Sequence, residues 1–191
     1  MEKSKIIIVE GPQGVGKTSI TDYIRHTLSY TNLYRLSGTS DTTVAGKKKS
    51  EEMYYGLLDY IKTLENKSIN LLFDRTFFSE ENYCRLGKKE YTFTDVYNKL
   101  VNNLNNMDFD IYYINLYLED ESIFETRLKR DNKAVFEASK FSIENSILQQ
   151  KTYKEIANEL EENYKNIKVF NVECSKSLEE VEKEIRSILN Y

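Results

Sequence analysis

The sequence predicts an α/β domain in which helices cover both faces of a five-stranded parallel sheet, a three-layer α/β/α arrangement. Short apolar runs, rich in β-branched residues, alternate with segments of helical periodicity along the whole chain. Strands that are separated by helical crossovers lie parallel in one sheet. The length of 191 residues fits one domain with a substantial core. We therefore expect a single domain over residues 1–191, with ligands at the carboxyl ends of the strands.

The composition narrows the classes of protein to consider. Apolar residues make up 40% of the chain and charged residues 30%, which is the balance of a soluble globular protein. No apolar run approaches the roughly 20 residues of a membrane span, and the short run Ile6–Val9 is no signal-peptide core. The net charge of −4 argues against a broad nucleic-acid surface. We expect a cytoplasmic protein with small-molecule partners, and we interpret Cys84 and Cys174 as buried or idle thiols.

Each element is predicted from local periodicity and from the residues that bound it. Apolar positions at helical spacing, such as Ile20 and Ile24, mark the first helix, and the Gly/Ser/Thr-rich and then basic stretch Ser37–Lys49 indicates a loop. The predicted strands are Ile6–Val9, Leu33–Leu36, Ile69–Phe73, Ile111–Leu118 and Val169–Val172. The predicted helices are Lys17–Ser29, Glu51–Asn66, Phe77–Leu86, Thr94–Asn105, Glu121–Arg130, Ile143–Asn163 and Leu178–Leu189.

A phosphate-binding motif follows the first strand directly. Residues 11–18 match G-x-x-x-x-G-K-[ST] in full and lead into the first helix. Such a loop turns its backbone N–H groups toward phosphate oxygens, and the helix N-terminus adds its positive end. We expect Lys17 to contact the β- and γ-phosphates of ATP and Thr18 to ligate Mg²⁺. The other expected contacts to the nucleotide come from Gly11, Gln13, Gly14, Val15, Gly16 and Ser19.

A charged pair closes the third strand, at the edge where the phosphates should lie. Asp74 could hold magnesium through water, and Arg75 could bind a phosphoryl oxygen bidentately. A helix-capping aspartate beside a solvated arginine is the alternative interpretation.

Two arginines are three residues apart on the predicted helix Glu121–Arg130. One helical face can present both Arg127 and Arg130, and the polar stretch after them predicts a lid near residues 127–141. Guanidinium groups there would stabilise charge on a transferring phosphoryl group. Surface ion pairing with Glu125 or Asp131 is the alternative.

Further candidates lie after the second strand and among the aromatic residues. Arg35 precedes the small-residue turn Ser37-Gly38-Thr39, which suits close approach to a second phosphate. One ring of the pairs Tyr54-Tyr55 or Phe77-Phe78 could stack on a base. An exposed loop arginine and ordinary core packing are the respective alternatives.

These motifs together resemble the thymidylate kinases, within the wider group of nucleoside-monophosphate and deoxynucleoside kinases. Residues 9–18 look like the phosphate loop of that family. Arg35 with Gly38-Thr39 is similar to its Arg-Glu-Pro-Gly-Gly-Thr segment, and Asp74-Arg75 with Ser79 and Tyr83 resembles its Asp-Arg-Tyr-x-x-Ser-x-x-Ala-Tyr motif in register. The resemblance covers nearly the whole chain and implies a P-loop kinase fold with a helical lid.

The resemblance also implies roles for individual residues. Arg75 and Arg35 would bind the acceptor monophosphate, Asp74, Ser79 and Tyr83 would lie at the acceptor with Tyr55 as a candidate aromatic contact, and Arg127 or Arg130 would contact the donor phosphates. Family analogy further implies a homodimer. The chain departs from the family pattern at Gln13, Thr76 and Cys84, where an acidic residue, Tyr and Gln are common.

Three functions remain open from the sequence. The leading one is an ATP-dependent nucleoside-monophosphate kinase with thymidylate as the first acceptor, because a monophosphate is already an anionic nucleophile and Arg35 and Arg75 suit it. The second is a deoxynucleoside kinase, whose acceptor hydroxyl benefits from a carboxylate base, with Asp41 as the nearby acid. The third is a nucleotide-binding regulatory module without efficient transfer.

Overall fold

The computed structural model describes residues 3–130 and 142–191. Within these residues five strands alternate with seven helices. The strands are β1 (Lys5–Glu10), β2 (Thr31–Arg35), β3 (Asn70–Asp74), β4 (Asp110–Tyr117) and β5 (Ile167–Glu173). The helices are α1 (Lys17–Thr27), α2 (Val44–Thr63), α3 (Phe77–Arg85), α4 (Thr94–Asn105), α5 (Ser122–Arg130), α6 (Ile143–Asn163) and α7 (Leu178–Leu189).

The five strands form one parallel sheet in the order β2-β3-β1-β4-β5. β1 lies at the centre, and all six of its residues are buried, which explains the continuous apolar run Ile6–Val9. Val9 of β1 and Arg35 of β2 both lie opposite Asp74 of β3. The carboxyl ends of these three strands therefore meet at one edge of the sheet.

Helices cover both faces of the sheet, as the alternation of elements predicts. Ile6 and Ile8 face a core built with α2, α3, α4 and α6, whereas Ile7 and Val9 face a second core built with α1, α5 and α7. Successive side chains of a strand point to opposite faces, so the middle of a strand that is buried on both sides is apolar at every position. The predicted three-layer α/β/α fold with a five-stranded parallel sheet is confirmed.

The second helix begins earlier than the sequence predicts. α2 starts at Val44, so the predicted loop Ser37–Lys49 is wrong over its second half. The buried face of the first turns carries Gly46 and Ser50 before Tyr54 and Leu58. These small residues occupy core-facing positions without an apolar signal, which concealed the helical periodicity.

Other boundaries differ from the prediction by a few residues, as in β5, which spans Ile167–Glu173 instead of 169–172. None of the helices in the described part of the chain is both long and apolar enough to cross a bilayer. Residues 131–141, most of the predicted lid, lie outside the described residues.

Candidate active site

The phosphate loop connects the end of β1 to the start of α1. Gly11 has φ of 148°, and a Cβ there would lie 2.6 Å from the carbonyl oxygen of Leu116, so only glycine lets the chain leave the sheet at this point. Gly16 precedes α1 without a side-chain cap, and the first turn of α1 carries no acidic residue. No side chain therefore caps this helix end, which leaves its N–H groups able to bind an anion.

Lys17 lies against the same loop. Its buried ammonium donates to the carbonyl oxygens of Gly11 at 2.8 Å and Pro12 at 2.7 Å. The cation is thus held at the loop where a nucleotide's phosphates would bind. Thr18 and Ser19 follow on the exposed first turn of α1.

Arg127, a residue of α5, hydrogen-bonds to the phosphate loop. It donates to the carbonyl oxygen of Val15 at 2.6 Å and to that of Cys174 at 2.7 Å. Both guanidinium bonds reach backbone, so in this conformation Arg127 joins the loop to the end of β5. Arg130 is the last residue of α5, and its side chain lies outside the described residues. Glu125, the ion-pair partner in the alternative interpretation of the arginines, pairs with Lys129 on the exposed side of the helix.

Arg75 occupies a strained position at the end of β3. Its φ of 72° lies in the left-handed region, which is uncommon for a residue with a Cβ and is enriched at functional sites. The guanidinium donates to Ser79 Oγ at 3.4 Å. Burial lowers the pKa of Arg75, but the neighbouring Tyr153, Tyr83, Glu10 and Asp74 raise it above its ordinary value. The side chain stays cationic.

Glu10 anchors the backbone that follows Arg75. The fully buried carboxylate accepts from Thr76 N at 2.7 Å and from Ser79 Oγ at 2.7 Å, and Ser79 Oγ also meets Tyr153 Oη at 2.8 Å. Burial raises the pKa of Glu10 above its ordinary value, while the Ser79 hydrogen bond and the Arg75 charge oppose this shift. Glu10 is not among the predicted site residues, although an acid at the end of a fully buried strand was a usable signal.

Arg35 and Asp74 complete this edge of the sheet. Arg35 pairs with Asp22 at 2.5 Å and with Asp74 at 3.6 Å. Asp74 and the hydroxyl of Thr18 are hard oxygen donors of the kind that Mg²⁺ takes while it keeps several waters, so the predicted metal residues fit that ion chemically.

These elements enclose a cavity of about 810 Å³ between the phosphate loop, the segment 36–42 and α3. Its volume suits a small organic ligand. The lining contributed by described residues carries four cations, Arg35, Arg75, Lys88 and Lys89, and two carboxylates, Asp74 and Glu80. The cavity therefore favours an anionic ligand. Another cavity, of about 500 Å³, lies at the opposite edge of the sheet, where β2 and β3 begin, away from the phosphate loop.

The far wall of the cavity is a polar cluster that the sequence did not reveal. Buried Glu80 pairs with Lys89 at 2.9 Å and accepts a short hydrogen bond from Tyr91, and Lys89 also donates to Thr39 O at 2.8 Å. Gly38 has φ of 68°, and a Cβ there would lie 3.0 Å from Glu80 Oε2. These contacts hold the segment after β2 against α3.

Most of the predicted acceptor residues line this cavity together. They are Arg35, Asp74, Arg75, Ser79 and Tyr83. Gln13, which was expected to contact ATP, lines the same cavity. Tyr55 does not: it packs beside the core, whereas Tyr54 lines the cavity and donates to Thr76 O at 3.3 Å. The prediction of Tyr55 is corrected because the inward face of α2 repeats at Gly46, Ser50, Tyr54 and Leu58.

Comparisons with known proteins identify the fold. No family model and no curated protein matches the chain. Among solved structures, a thymidylate kinase from Candida albicans has a TM-score of 0.69 at 15% identity, over 98% of this chain and 92% of that one. Deoxyadenosine kinase from M. mycoides with bound dATP gives 0.65 at 18% identity, over 98% and 100%. The YorR protein from Bacillus subtilis in complex with phosphorylated GDP gives 0.66 at 19% identity, over 97% and 95%. The chain shares the fold of these proteins over almost its whole length.

Proposed function

We propose that the protein is an ATP-dependent nucleotide kinase that transfers the γ-phosphate of ATP to a nucleoside monophosphate, with thymidylate as the leading acceptor. One observation carries this proposal. Arg35 lies opposite Asp74 on the neighbouring strand, Arg75 follows Asp74 in the chain, and all three line one cationic cavity beside the phosphate loop. The fold shared with thymidylate and deoxyadenosine kinases supports it as analogy.

The geometry favours a monophosphate over a nucleoside as acceptor. A nucleoside hydroxyl benefits from a carboxylate that takes its proton. Asp41, the candidate base, is poorly suited to that role because hydrogen bonds from Lys49 and Thr43 lower its pKa to about 2. It is also missing from the described lining of the cavity, and Glu80 is already held by Lys89 and Tyr91. An acceptor that arrives as an anion needs no such base.

Each residue then has a definite role in the transfer. Lys17 and the N-terminus of α1 bind the donor phosphates, and Arg75 with Arg35 binds the acceptor phosphate. An oxygen of that phosphate attacks the γ-phosphorus, the bond from the γ-phosphorus to the bridging oxygen breaks, and ADP leaves. Thr18 and Asp74 would hold Mg²⁺, which supplies neutralisation of phosphate charge when bound.

A coupled ADP-release assay with ATP and Mg²⁺ tests the proposal against a panel of nucleoside monophosphates and nucleosides. Lys17→Ala should lower kcat by at least about 100-fold with the fold retained. Lys48→Ala, at a side chain that is 82% exposed, is the matched lysine control and should leave turnover unchanged.

Turnover confined to monophosphates supports the proposal and names the base. Turnover with nucleosides alone would replace it by a deoxynucleoside kinase. ATP binding without turnover on any acceptor would instead favour a regulatory nucleotide-binding module.

A further inference from the structure

One face of α6 contacts both the phosphate loop and the acceptor side of the cavity. Ser146, Gln149 and Tyr153 are spaced at i, i+3 and i+7, so they share that face. All three are buried. Farther along the helix the buried residues are apolar, namely Ile156, Ala157 and Leu160. The buried polar residues of α6, which also include Thr152, are thus confined to the turns that border the site.

The first two of these residues hold the phosphate loop at Gln13. The backbone N–H of Gln13 donates to Gln149 Oε1 at 3.0 Å, and its carbonyl oxygen accepts from Ser146 Oγ at 3.0 Å. Both backbone hydrogen-bonding groups of one loop residue are therefore bound from α6. Because Ser146 and Gln149 are buried and packed, they fix the position of the loop instead of following it.

The same helix holds the acceptor side. Tyr153 Oη meets Ser79 Oγ at 2.8 Å, and Ser79 contacts the Arg75 guanidinium. The carbonyl oxygen of Gln149 accepts from Asn82 Nδ2 at 3.0 Å, and Asn82 is buried in α3. Gln149 itself lines the cavity. It is bonded to the donor loop through its side chain and to the acceptor helix through its backbone.

We propose that Ser146 and Gln149 are positioning residues for phosphoryl transfer, which set the distance between the donor loop and the acceptor cavity. The inference rests on the proposed kinase function. Transfer between two bound phosphates depends on near-contact geometry, and a displacement of about 1 Å can cost on the order of 100-fold in rate. Their side chains bond to the backbone N–H and carbonyl oxygen of Gln13, so they act on the transfer through the position of that residue.

The neighbouring Gln150 provides a matched control. Its side chain accepts from Leu118 N at 2.8 Å and donates to Leu118 O at 3.0 Å. It therefore makes two hydrogen bonds to backbone from the same helix, but to the residue that follows β4 instead of to the phosphate loop. Replacing either Gln149 or Gln150 by Met keeps a side chain of similar length and removes the side-chain hydrogen bonds to backbone.

The experiment measures kcat and KM for ATP and for the acceptor in Gln149→Met, Ser146→Ala, Gln150→Met and the wild-type protein, below the melting temperature of each. We expect Gln149→Met to lower kcat by roughly 10- to 100-fold, with both KM values changed less than about threefold. Ser146→Ala, the smaller perturbation, should lower kcat in the same direction and serves if Gln149→Met does not fold. Gln150→Met should lose stability but keep its kcat.

Equal losses of kcat in Gln149→Met and Gln150→Met would reduce the role to general stability and overturn the inference. So would a kcat within about twofold of wild type in both Gln149→Met and Ser146→Ala. A wild-type protein that phosphorylates no acceptor would instead refute the proposed function, and this inference with it.

Discussion

Two glycines of the same helix should respond to alanine substitution in opposite directions. Alanine is favoured over glycine inside a helix by about 1 kcal/mol. At Gly56 an added Cβ would meet nothing within 4 Å, so Gly56→Ala should gain most of that amount. For a domain of this size the gain corresponds to a rise of about 2–4 °C in Tm.

Gly46 has no room for the same change. A Cβ there would lie 2.1 Å from the carbonyl oxygen of Asp41 and 3.2 Å from Cε1 of Tyr91. Relief requires a backbone shift, and overpacking of this kind costs about 1–3 kcal/mol. After the helical gain is subtracted, Gly46→Ala should lower the free energy of unfolding by up to about 2 kcal/mol. The two variants should then differ by about 1–3 kcal/mol.

Urea unfolding followed by far-UV circular dichroism measures this difference, provided that the m-values agree. The site should respond as well, because Asp41 lies between Ser40 and Thr42, which line the cavity. Gly46→Ala should raise the KM of the acceptor, whereas Gly56→Ala should leave the kinetics unchanged. Equal stability of the two variants would refute the close approach of Asp41 and, with it, the start of α2 at Val44.

Three further predictions concern charged groups and thiols. Arg75→Lys should raise the acceptor KM by roughly 10- to 100-fold but leave the ATP KM unchanged, because lysine lacks the bidentate fork of arginine. Equal effects on both KM values in steady-state kinetics would contradict the role of Arg75 at the acceptor phosphate. Since burial raises the pKa of Glu10 above 4.5, the stability from its protonated form is present below that pH and is lost as pH rises. Wild type should therefore lose stability relative to Glu10→Gln as the pH rises from about 4.5 to about 7. Urea unfolding measures both free energies, and a difference that stays constant over this range would contradict the raised pKa of Glu10. Burial raises the pKa of Cys84 and of Cys174 to about 12, so each thiol should react with iodoacetamide more slowly at about pH 8 in the native protein than in urea. Equal labelling rates in the two states would contradict the raised pKa of that thiol.

The fold followed from the sequence because its signals are local and strong. Ile6–Val9 is apolar at every position, which only a strand buried on both faces requires. The ends of α4, α6 and α7 agree with the prediction. α4 and α7 bury apolar residues at helical spacing along their whole length. The start of α2 did not follow from local signals, because Gly46 and Ser50 fit against neighbours that are distant in sequence, such as Tyr91.

The site was predictable only where a motif marks it. Residues 11–18 and the pair Asp74-Arg75 carry recognisable patterns, and the structure brings them to one edge. Glu80 and Lys89 gave no such signal, because their pairing depends on the path of the loop between α3 and α4. Gln149 lies 136 residues from its partner Gln13, and no local pattern of a helix distinguishes it from Gln150.

The energetic cost of the site is concentrated at the adjacent carboxyl ends of β1 and β3. A buried carboxylate is unfavourable unless hydrogen bonds satisfy it, and a left-handed backbone at a residue with a Cβ adds strain. Glu10 and Arg75 show both costs side by side. Each offsets the other: the carboxylate of Glu10 holds the N–H of Thr76, which fixes the turn that the strained Arg75 requires, and the guanidinium charge favours the ionised carboxylate. An apolar residue at position 10 would remove the desolvation cost but would release that turn, so the same substitution that relieves the core should misplace Arg75.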